Sequence, residues 1–264
     1  MTVLLLSFGS AGRLLVALAA VASLLMPSGV QAQNRGAPPP APTPKASAPI
    51  DLTGYWVAVV NEDWRYRMVT PAKGDYRGVP ITMEALKIVN AWDPAADEAA
   101  GNQCKSYGAA AIMRVPGRIH VTWQDDNTLR LDTDAGMQTR LFQFAPVPAP
   151  AAKPTWQGQS TARWERPGAG RGNPAAGPRV GSLTVVTTNM RAGYLRKNGV
   201  PYSENARVSE YFDLSPSPNS GQLLVVTTVV DDPRYLTQPF IVSSHFKKEA
   251  DGSRWDPTPC SSTW

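Results

Sequence analysis

The sequence predicts an all-β protein, an antiparallel barrel of about nine or ten strands with one short helix. Three observations favour this fold. Apolar and polar residues alternate in short segments from residue 117 onward, β-branched and aromatic residues are concentrated in those segments, and Gly, Asn and Asp separate them. Closing the sheet into a barrel removes its exposed edges, and an open β-sandwich is the alternative.

The elements before residue 117 are fewer. A first strand is predicted over residues 51–60, and residues 66–69 are interpreted as a short second strand. One helix is predicted over residues 83–92, because Thr82 is a capping residue, apolar side chains recur at helical spacing and Pro94 ends the run. Its apolar face is expected to pack on the sheet.

The later elements are all predicted strands. A three-stranded meander covers residues 119–144, with turns at residues 125–127 and 134–136. Residues 191–201 are interpreted as a polar insertion. The remaining strands are predicted at residues 156–165, 182–188, 206–212, 223–230 and 240–246.

Residues 1–32 are expected to be a secretory signal peptide. Arg13 is the positive charge of its first part, an apolar run follows, and Ala32 ends a small-residue cleavage site. The apolar run is about a dozen residues, and a membrane-spanning helix needs roughly 20, so no stable membrane anchor is expected after cleavage. The mature protein is therefore expected in the periplasm or outside the cell.

Two segments follow the signal peptide: a Pro/Ala-rich linker of residues 33–49 and a single barrel domain of residues 50–264. This domain holds both cysteines, Cys104 and Cys260. A lone pair of cysteines in an oxidising compartment usually forms a disulfide, and neither residue has the nearby Cys or His of a metal site. We therefore predict a Cys104–Cys260 disulfide, with free thiols as the alternative, and expect no metal and no cofactor.

Charge and motifs exclude several functions. The formal net charge is +5, and the basic residues are spread along the chain. A nucleic-acid-binding protein usually carries a basic stripe with aromatic residues between, so no nucleic-acid partner is expected. The sequence contains no G-x-S-x-G, H-E-x-x-H or P-loop motif. An enzyme of this fold would have to assemble its site from scattered strand residues.

The two histidines, His120 and His245, are the candidate catalytic residues if the protein is an enzyme. Both are predicted in strands, and histidine is the side chain that titrates near neutral pH. His120 alternates with Ile119 and Val121, so it faces the opposite side of its strand. The alternative for each is a surface or structural histidine.

Four further residues are candidates for ligand binding. Glu210 and Arg140 lie in the middle of predicted strands, and as a buried pair they would anchor a polar head group, whereas exposed cross-strand charges are the alternative. Trp123 and Trp56 are candidates for an aromatic pocket lining, because tryptophan offers a large apolar area with one polar group. Their alternative role is core packing.

Three stretches of the C-terminal third carry a resemblance. They read GVPYSE, VSEYF and DDPRYLTQPF, at residues 199–204, 208–212 and 231–240. They resemble a group of uncharacterised secreted proteins common in soil bacteria, which have His in place of Tyr202 and Arg in place of Tyr211. Residues 52–56 are similar to the opening strand of lipocalin-like barrels. The resemblance implies secretion and a lipocalin-like (calycin-type) barrel, and no activity.

These observations favour a secreted or periplasmic barrel that binds a small, largely apolar ligand. One alternative is a barrel enzyme, a lyase, isomerase or hydrolase, acting on a small organic substrate; another is an interaction module of the envelope. Convergence of both histidines with Glu210 and Arg140 in one pocket would favour the enzyme. An apolar lumen with one polar end would favour ligand binding, and a packed interior would favour the interaction module. The sequence predicts no oligomeric state.

Overall fold

A computed structural model of the chain describes residues 40–145, 153–166, 181–218 and 221–263. The predicted signal peptide lies outside the described residues, as do the first residues of the predicted linker. In chain order the strands are β1 (Gly54–Val59), β2 (Arg118–Asp125), β3 (Thr128–Thr133), β4 (Thr139–Gln143), β5 (Gln159–Glu165), β6 (Ser182–Thr188), β7 (Gly193–Arg196), β8 (Val200–Tyr202), β9 (Arg207–Ser217), β10 (Gly221–Asp231) and β11 (Phe240–Lys248).

Within the described ranges, nine of these strands close into a barrel, in the order β1-β11-β10-β9-β6-β5-β4-β3-β2. The predicted closed barrel is confirmed, and every strand predicted after residue 117 is found. Strands β7 and β8 form a separate hairpin outside the barrel.

One neighbouring pair of described barrel strands, β4 and β5, is parallel, so the prediction of a fully antiparallel barrel is wrong. Strands that alternate up and down can close on themselves only in an even number. A ring of nine must therefore contain at least one parallel pair. Only two register pairs join these strands, Phe142 with Ser160 and Gln143 with Thr161.

The interior of the barrel is a packed core. Alternation places every second residue of each strand inside, as in β2, where Ile119 and Val121 are buried and His120 faces outward. Each fully buried large apolar side chain contributes about 1.5–3 kcal/mol. The core includes Trp56, Leu129, Leu131, Phe142, Leu183, Val185, Phe212, Leu224, Val226 and Phe246.

Three α-helices are present in the described part of the chain, where one was predicted: α1 (Trp64–Arg67), α2 (Met83–Ala91) and α3 (Pro94–Ala99). The predicted strand over residues 66–69 is wrong, because the backbone closes a local helical turn there, with Met68 N donating to Trp64 O at 2.9 Å. Helix α3 begins at Pro94, the residue predicted to end the preceding helix, because proline is also favoured at the first position of a helix.

Helix α2 confirms the predicted helix and its cap. Ala85 N donates to Thr82 Oγ1 at 3.3 Å. The helix packs mainly on β8. It buries Ala85 and Val89, while the side chain of Met83 is 74% exposed. The buried face therefore includes Val89, as expected, but Ala85 instead of Met83.

A second core closes one end of the barrel. It joins residues from the ends of β9, β10 and β11 to the β7–β8 hairpin and α2: Val79, Val89, Ala109, Ala110, Met190, Leu195, Val200, Tyr202, Ala206, Val208, Val230, Leu236 and Phe240. The hairpin corresponds to the predicted polar insertion, yet its tip is buried. Asn198 Nδ2 donates to the carbonyls of Ala72 and Asp75 at 2.9 and 2.8 Å. Long-range hydrogen bonds of this kind satisfy the polar groups, which explains how so polar a segment is buried.

Lys197 at this hairpin tip carries a buried ammonium group. Its Nζ donates to Tyr107 Oη at 2.5 Å and to Ser261 O at 3.3 Å. Burial lowers the pKa of Lys197 from 10.5 to about 8. Between these two pH values the unfolded chain binds a proton that the folded protein has released. The free energy of unfolding therefore rises with pH in this interval.

We expect Lys197→Met to remove this rise. From pH 7.5 to 9.5 the free energy of unfolding of the unsubstituted protein should increase by about 2 kcal/mol relative to that of the variant. Urea unfolding at several pH values measures the difference. Lys247→Met, at an exposed lysine of β11, is the control and should follow the unsubstituted protein. Parallel curves for Lys197→Met and the unsubstituted protein would contradict the prediction.

The opposite end of the barrel is covered by the N-terminal strap, residues 43–49. Trp164 Nε1 donates to Pro44 O at 2.9 Å, and Lys45 N donates to Asp126 O at 3.2 Å. Beneath the strap, Trp164 packs against Trp123 and Phe144. Both ends of the barrel are therefore covered.

The C-terminal tail, residues 250–263, crosses the outer wall of the barrel beside β1–β4. Thr258 N donates to Asp134 O at 3.0 Å, and Gly136 N donates to Thr258 O at 2.9 Å. Cys260 in this tail lies at disulfide distance from Cys104, with Cα atoms 5.1 Å apart, as the sequence predicted. The tail is thus held by hydrogen bonds and by one covalent link.

Candidate functional site

The two histidines lie apart on the outer wall of the barrel. In the register of β1, Tyr55 pairs with His120 and Val59 pairs with His245. Four residues of strand separate these positions, which is roughly 13 Å. The structure does not bring the histidines together in one pocket.

Arg140 and Glu210 face the interior and bind each other. Arg140 Nη1 lies 2.9 Å from Glu210 Oε1, and Nη2 lies 2.5 Å from Oε2. Arg140 Nη2 also donates to Thr187 Oγ1 at 3.2 Å, and both charged side chains have an exposed fraction of 0%. The pair is therefore buried and bidentate, and it is separate from both histidines.

The two tryptophans predicted as ligand contacts are also separate. Trp56 lies in the main core, where its Nε1 donates to Leu52 O at 2.9 Å. Trp123 lies under the N-terminal strap, with its ring centroid 5.7 Å from that of Phe144 and 6.4 Å from that of Trp164. The strap and the core surround these rings.

His245 has carboxylate and amide partners. Its Nδ1 lies 2.9 Å from Glu62 Oε2 and 3.1 Å from Asn61 Oδ1. Glu62 also binds Arg67. These contacts fix the imidazole orientation in a network at the end of β1.

His120 belongs to a groove with aromatic walls. The rings of His120 and Tyr55 are parallel and stacked, with centroids 3.9 Å apart. Trp255 of the tail meets both rings at 67°, with centroids 5.8 Å from Tyr55 and 6.2 Å from His120. A Cβ atom at Gly252 would lie 2.5 Å from Tyr55 Cζ, so glycine is what allows the tail to press on this ring. We call this feature the aromatic groove.

The aromatic groove has a cavity of about 310 Å³ and a polar rim. Asp132 on the rim accepts from Arg130 Nε and Nη2 at 2.7 and 2.9 Å and from Thr139 Oγ1 at 2.5 Å. Gln138 adds an amide to the lining. A carboxylate has about four acceptor sites, so Asp132 can accept a further hydrogen bond from a ligand.

The surroundings of His120 favour the neutral form of its imidazole. Burial lowers the pKa of His120, and Arg130 lowers it further, while the negative charge of Asp132 raises it. A neutral imidazole has one donor and one acceptor nitrogen. The groove therefore offers a flat uncharged surface beside a carboxylate, an amide and a hydroxyl group.

Sequence reasoning found only His120 of this groove. Tyr55 and Asp132 were missed, although both lie in predicted strands directly opposite His120. The alternation in β1 could have identified Tyr55, because successive side chains of a strand face opposite sides and the neighbouring Trp56 is buried. Trp255 had no such signal, since the tail forms no strand or helix there.

No known protein family, curated protein or solved structure matches this chain. The evidence for the barrel is therefore the structure alone. Membership of a secreted soil-bacterial group stays a prediction. Within the described ranges, no helix combines the length and the apolar character needed to cross a bilayer.

Proposed function

We propose that the protein is an extracytoplasmic binding module that holds one small cyclic group in the aromatic groove. The observation that carries this proposal is the convergence of Tyr55, His120 and Trp255 around a cavity of about 310 Å³. The disulfide supports an oxidising, extracytoplasmic location, as does the expected signal peptide.

The chemistry of the groove fits a sugar ring. A pyranose has an apolar face of C–H groups, which packs on aromatic rings, and a rim of hydroxyl groups. Asp132, Gln138 and Thr139 supply acceptors and donors at the edge of the same groove. A ring lying against Trp255 would reach this rim with its hydroxyl groups. The ligand is thus cyclic and amphipathic.

The interior is a weaker candidate for ligand binding. The sequence favoured a largely apolar ligand, with Glu210 and Arg140 anchoring its polar head. These two side chains are fully buried and bind each other, and the core surrounds them. The packed interior also supports the alternative of an envelope interaction module. A free sugar and a sugar unit of an envelope polymer present the same ring to the groove.

The enzyme alternative has less support, because acid–base catalysis needs its groups within hydrogen-bond reach of one substrate. His120 and His245 lie on different parts of the wall, and Glu210 and Arg140 face the interior. We therefore propose binding without turnover.

We expect Trp255→Ala to weaken sugar binding by about three- to tenfold, which is the typical energetic contribution of one aromatic contact. Saturation-transfer NMR with the methyl β-glycosides of glucose, galactose and N-acetylglucosamine identifies which ring binds, and titration then gives its affinity. Trp64→Ala is the matched control, because Trp64 is 61% exposed and lies outside the groove. It should bind as the unsubstituted protein does.

Three outcomes would contradict the proposal. Saturation transfer to none of the three glycosides excludes the sugar ring. Equal weakening by Trp64→Ala excludes the groove as the site. New products from a bound glycoside, lost in His120→Gln, would establish the enzyme alternative, whereas a binding role predicts that His120→Gln and His245→Gln change affinity less than about tenfold.

A further inference from the structure

Four cationic side chains are buried together at the end of the barrel that the second core closes. Arg67 ends α1, Arg114 lies in the 3₁₀ turn Ile112–Arg114, and Arg196 and Lys197 form the tip of the β7–β8 hairpin. Their exposed fractions are 2%, 6%, 4% and 4%. Charged side chains are rarely buried to this extent unless they are paired, so their partners need a full account.

Two of the three arginines form ion pairs with carboxylates. Arg67 pairs with Glu62, and Arg114 Nη1 lies 3.1 Å from Asp63 Oδ2. Arg196 Nη1 donates to the neutral carbonyl of Arg77 at 2.8 Å. Lys197 donates to the hydroxyl of Tyr107 and to a carbonyl. Glu62 is shared with His245, so the three arginines have two ion-pair partners, one of which also binds a histidine.

Three guanidinium nitrogens of this group are buried and make no hydrogen bond among the described residues. They are Arg67 Nη2, Arg114 Nη2 and Arg196 Nε. A buried N–H group without an acceptor costs free energy, and the cost is larger when the group is charged. Three such donors on three neighbouring arginines form one cluster.

The three arginines line a single small cavity. Its other polar lining residues are Tyr66, Ser106 and Lys197, and no carboxylate is among the described residues that line it. The carboxylates of Glu62 and Asp63 thus pair with Arg67 and Arg114 without lining the cavity. Burial lowers the pKa of all three guanidinium groups, and repulsion from Arg114 further lowers the pKa of Arg67 and Arg196.

We propose that this cavity is a binding site for one small monovalent anion, of the size of chloride or of a carboxylate group. An anion there would accept hydrogen bonds from the unpartnered guanidinium donors and reduce the repulsion between the arginines. This site is separate from the aromatic groove and does not depend on the function proposed for it.

The size of the cavity favours a small anion. The cavity volume is about 20 Å³, which is enough for one water molecule or a small ion. A chloride ion or the two oxygens of a carboxylate suit so small a space better than the larger phosphate or sulfonate groups do. The carboxylate can be a free small acid or the head of a larger ligand whose remainder lies outside.

The test uses chloride itself as the probe. The ³⁵Cl NMR linewidth of sodium chloride is titrated against the full chain, with sodium methanesulfonate keeping the ionic strength constant. We expect saturable broadening in the unsubstituted protein, and its removal by sodium formate shows that a carboxylate occupies the same site. If formate leaves the broadening unchanged, the site takes halide only. Broadening that does not saturate would overturn the proposal.

Arg196→Met is the decisive variant. Arg196 has no carboxylate partner among its described contacts, so its replacement leaves no buried carboxylate without a cation. We expect its half-saturating chloride concentration to rise at least tenfold. Arg191→Met is the matched control: both guanidinium groups stack at 4.0 Å on an aromatic ring, Arg196 on Tyr66 and Arg191 on Trp156, but Arg191 is exposed and outside this cavity.

A control affinity within about twofold of the unsubstituted protein completes the expected result, since exposed charges beyond the site act weakly at this ionic strength. Equal chloride affinity in Arg196→Met and the unsubstituted protein would overturn the proposal. If circular dichroism shows that Arg196→Met does not fold, Arg196→Lys replaces it. This variant keeps the charge but lacks the planar fork of donors, and it should still weaken chloride binding at least threefold.

Discussion

Arg140→Met is expected to lower the free energy of unfolding by about 3–5 kcal/mol, the largest effect of any single substitution considered for this protein. The substitution leaves the carboxylate of Glu210 fully buried without its cation, and it also removes the donor to Thr187 Oγ1. An uncompensated buried charge must either stay desolvated or take up a proton, and both cost stability. Urea unfolding with an unchanged m-value measures the loss.

Two further variants separate this effect from loss of packing. Arg140→Met combined with Glu210→Leu removes both charges, and it should recover most of the lost stability, because apolar replacement of a buried pair is often neutral. Arg163→Met breaks an ion pair with Glu165 that is largely exposed, and it should cost less than about 1 kcal/mol. A double variant as unstable as Arg140→Met would show that the ionic contact itself is not what stabilises the interior.

Removing the disulfide is expected to lower the free energy of unfolding by about 2–5 kcal/mol. Cys104 and Cys260 are separated by 156 positions in the sequence, so the link excludes many extended states of the unfolded chain. The chain-entropy relation gives about 5 kcal/mol for a loop of this length, which is the upper end of the range. Chemical unfolding of Cys104→Ser/Cys260→Ser against the oxidised protein measures the difference.

The reduced, unsubstituted protein is the natural control for that double variant. Both lack the link, so their unfolding midpoints should agree within the error of the measurement. Equal stability of the oxidised and reduced proteins would contradict the prediction. Two freely alkylatable thiols in protein exported under oxidising conditions would show that the link does not form.

Most of the strands and the longest helix could be predicted from local sequence patterns. The alternation in Ile119-His120-Val121 predicted which face of β2 is buried, because a strand turns successive side chains to opposite faces. Thr82 and Pro94 marked the ends of α2 for an equally local reason. Such signals need only a few neighbouring residues, so a single sequence contains them.

Features set by distant partners were not predictable in the same way. The direction of β4 relative to β5 depends on how many strands close the barrel. A pattern of a few neighbouring residues contains no information about that number. The burial of Arg196 and Asn198 depends on carbonyls about 120 positions away. The aromatic groove needs Trp255 of the tail to meet Tyr55 and His120 of two strands. Composition suggested aromatic ligand contacts, but it could not identify which aromatic side chains meet.

The parallel pair β4–β5 makes the barrel mechanically uneven. Strands β9 and β10 are joined by eleven register pairs, whereas two pairs join β4 to β5. We therefore expect the barrel to open first between β4 and β5, where the fewest register pairs hold neighbouring strands together. Adding or deleting a whole hairpin would leave the strand number odd, so a parallel pair would persist through such changes. A second cavity, of about 380 Å³, lies beside this pair and is lined by Gln143 of β4 and Ser160 of β5. Gln138 and Thr139 line both this cavity and the aromatic groove, so the proposed binding site borders the part of the wall with the fewest register pairs.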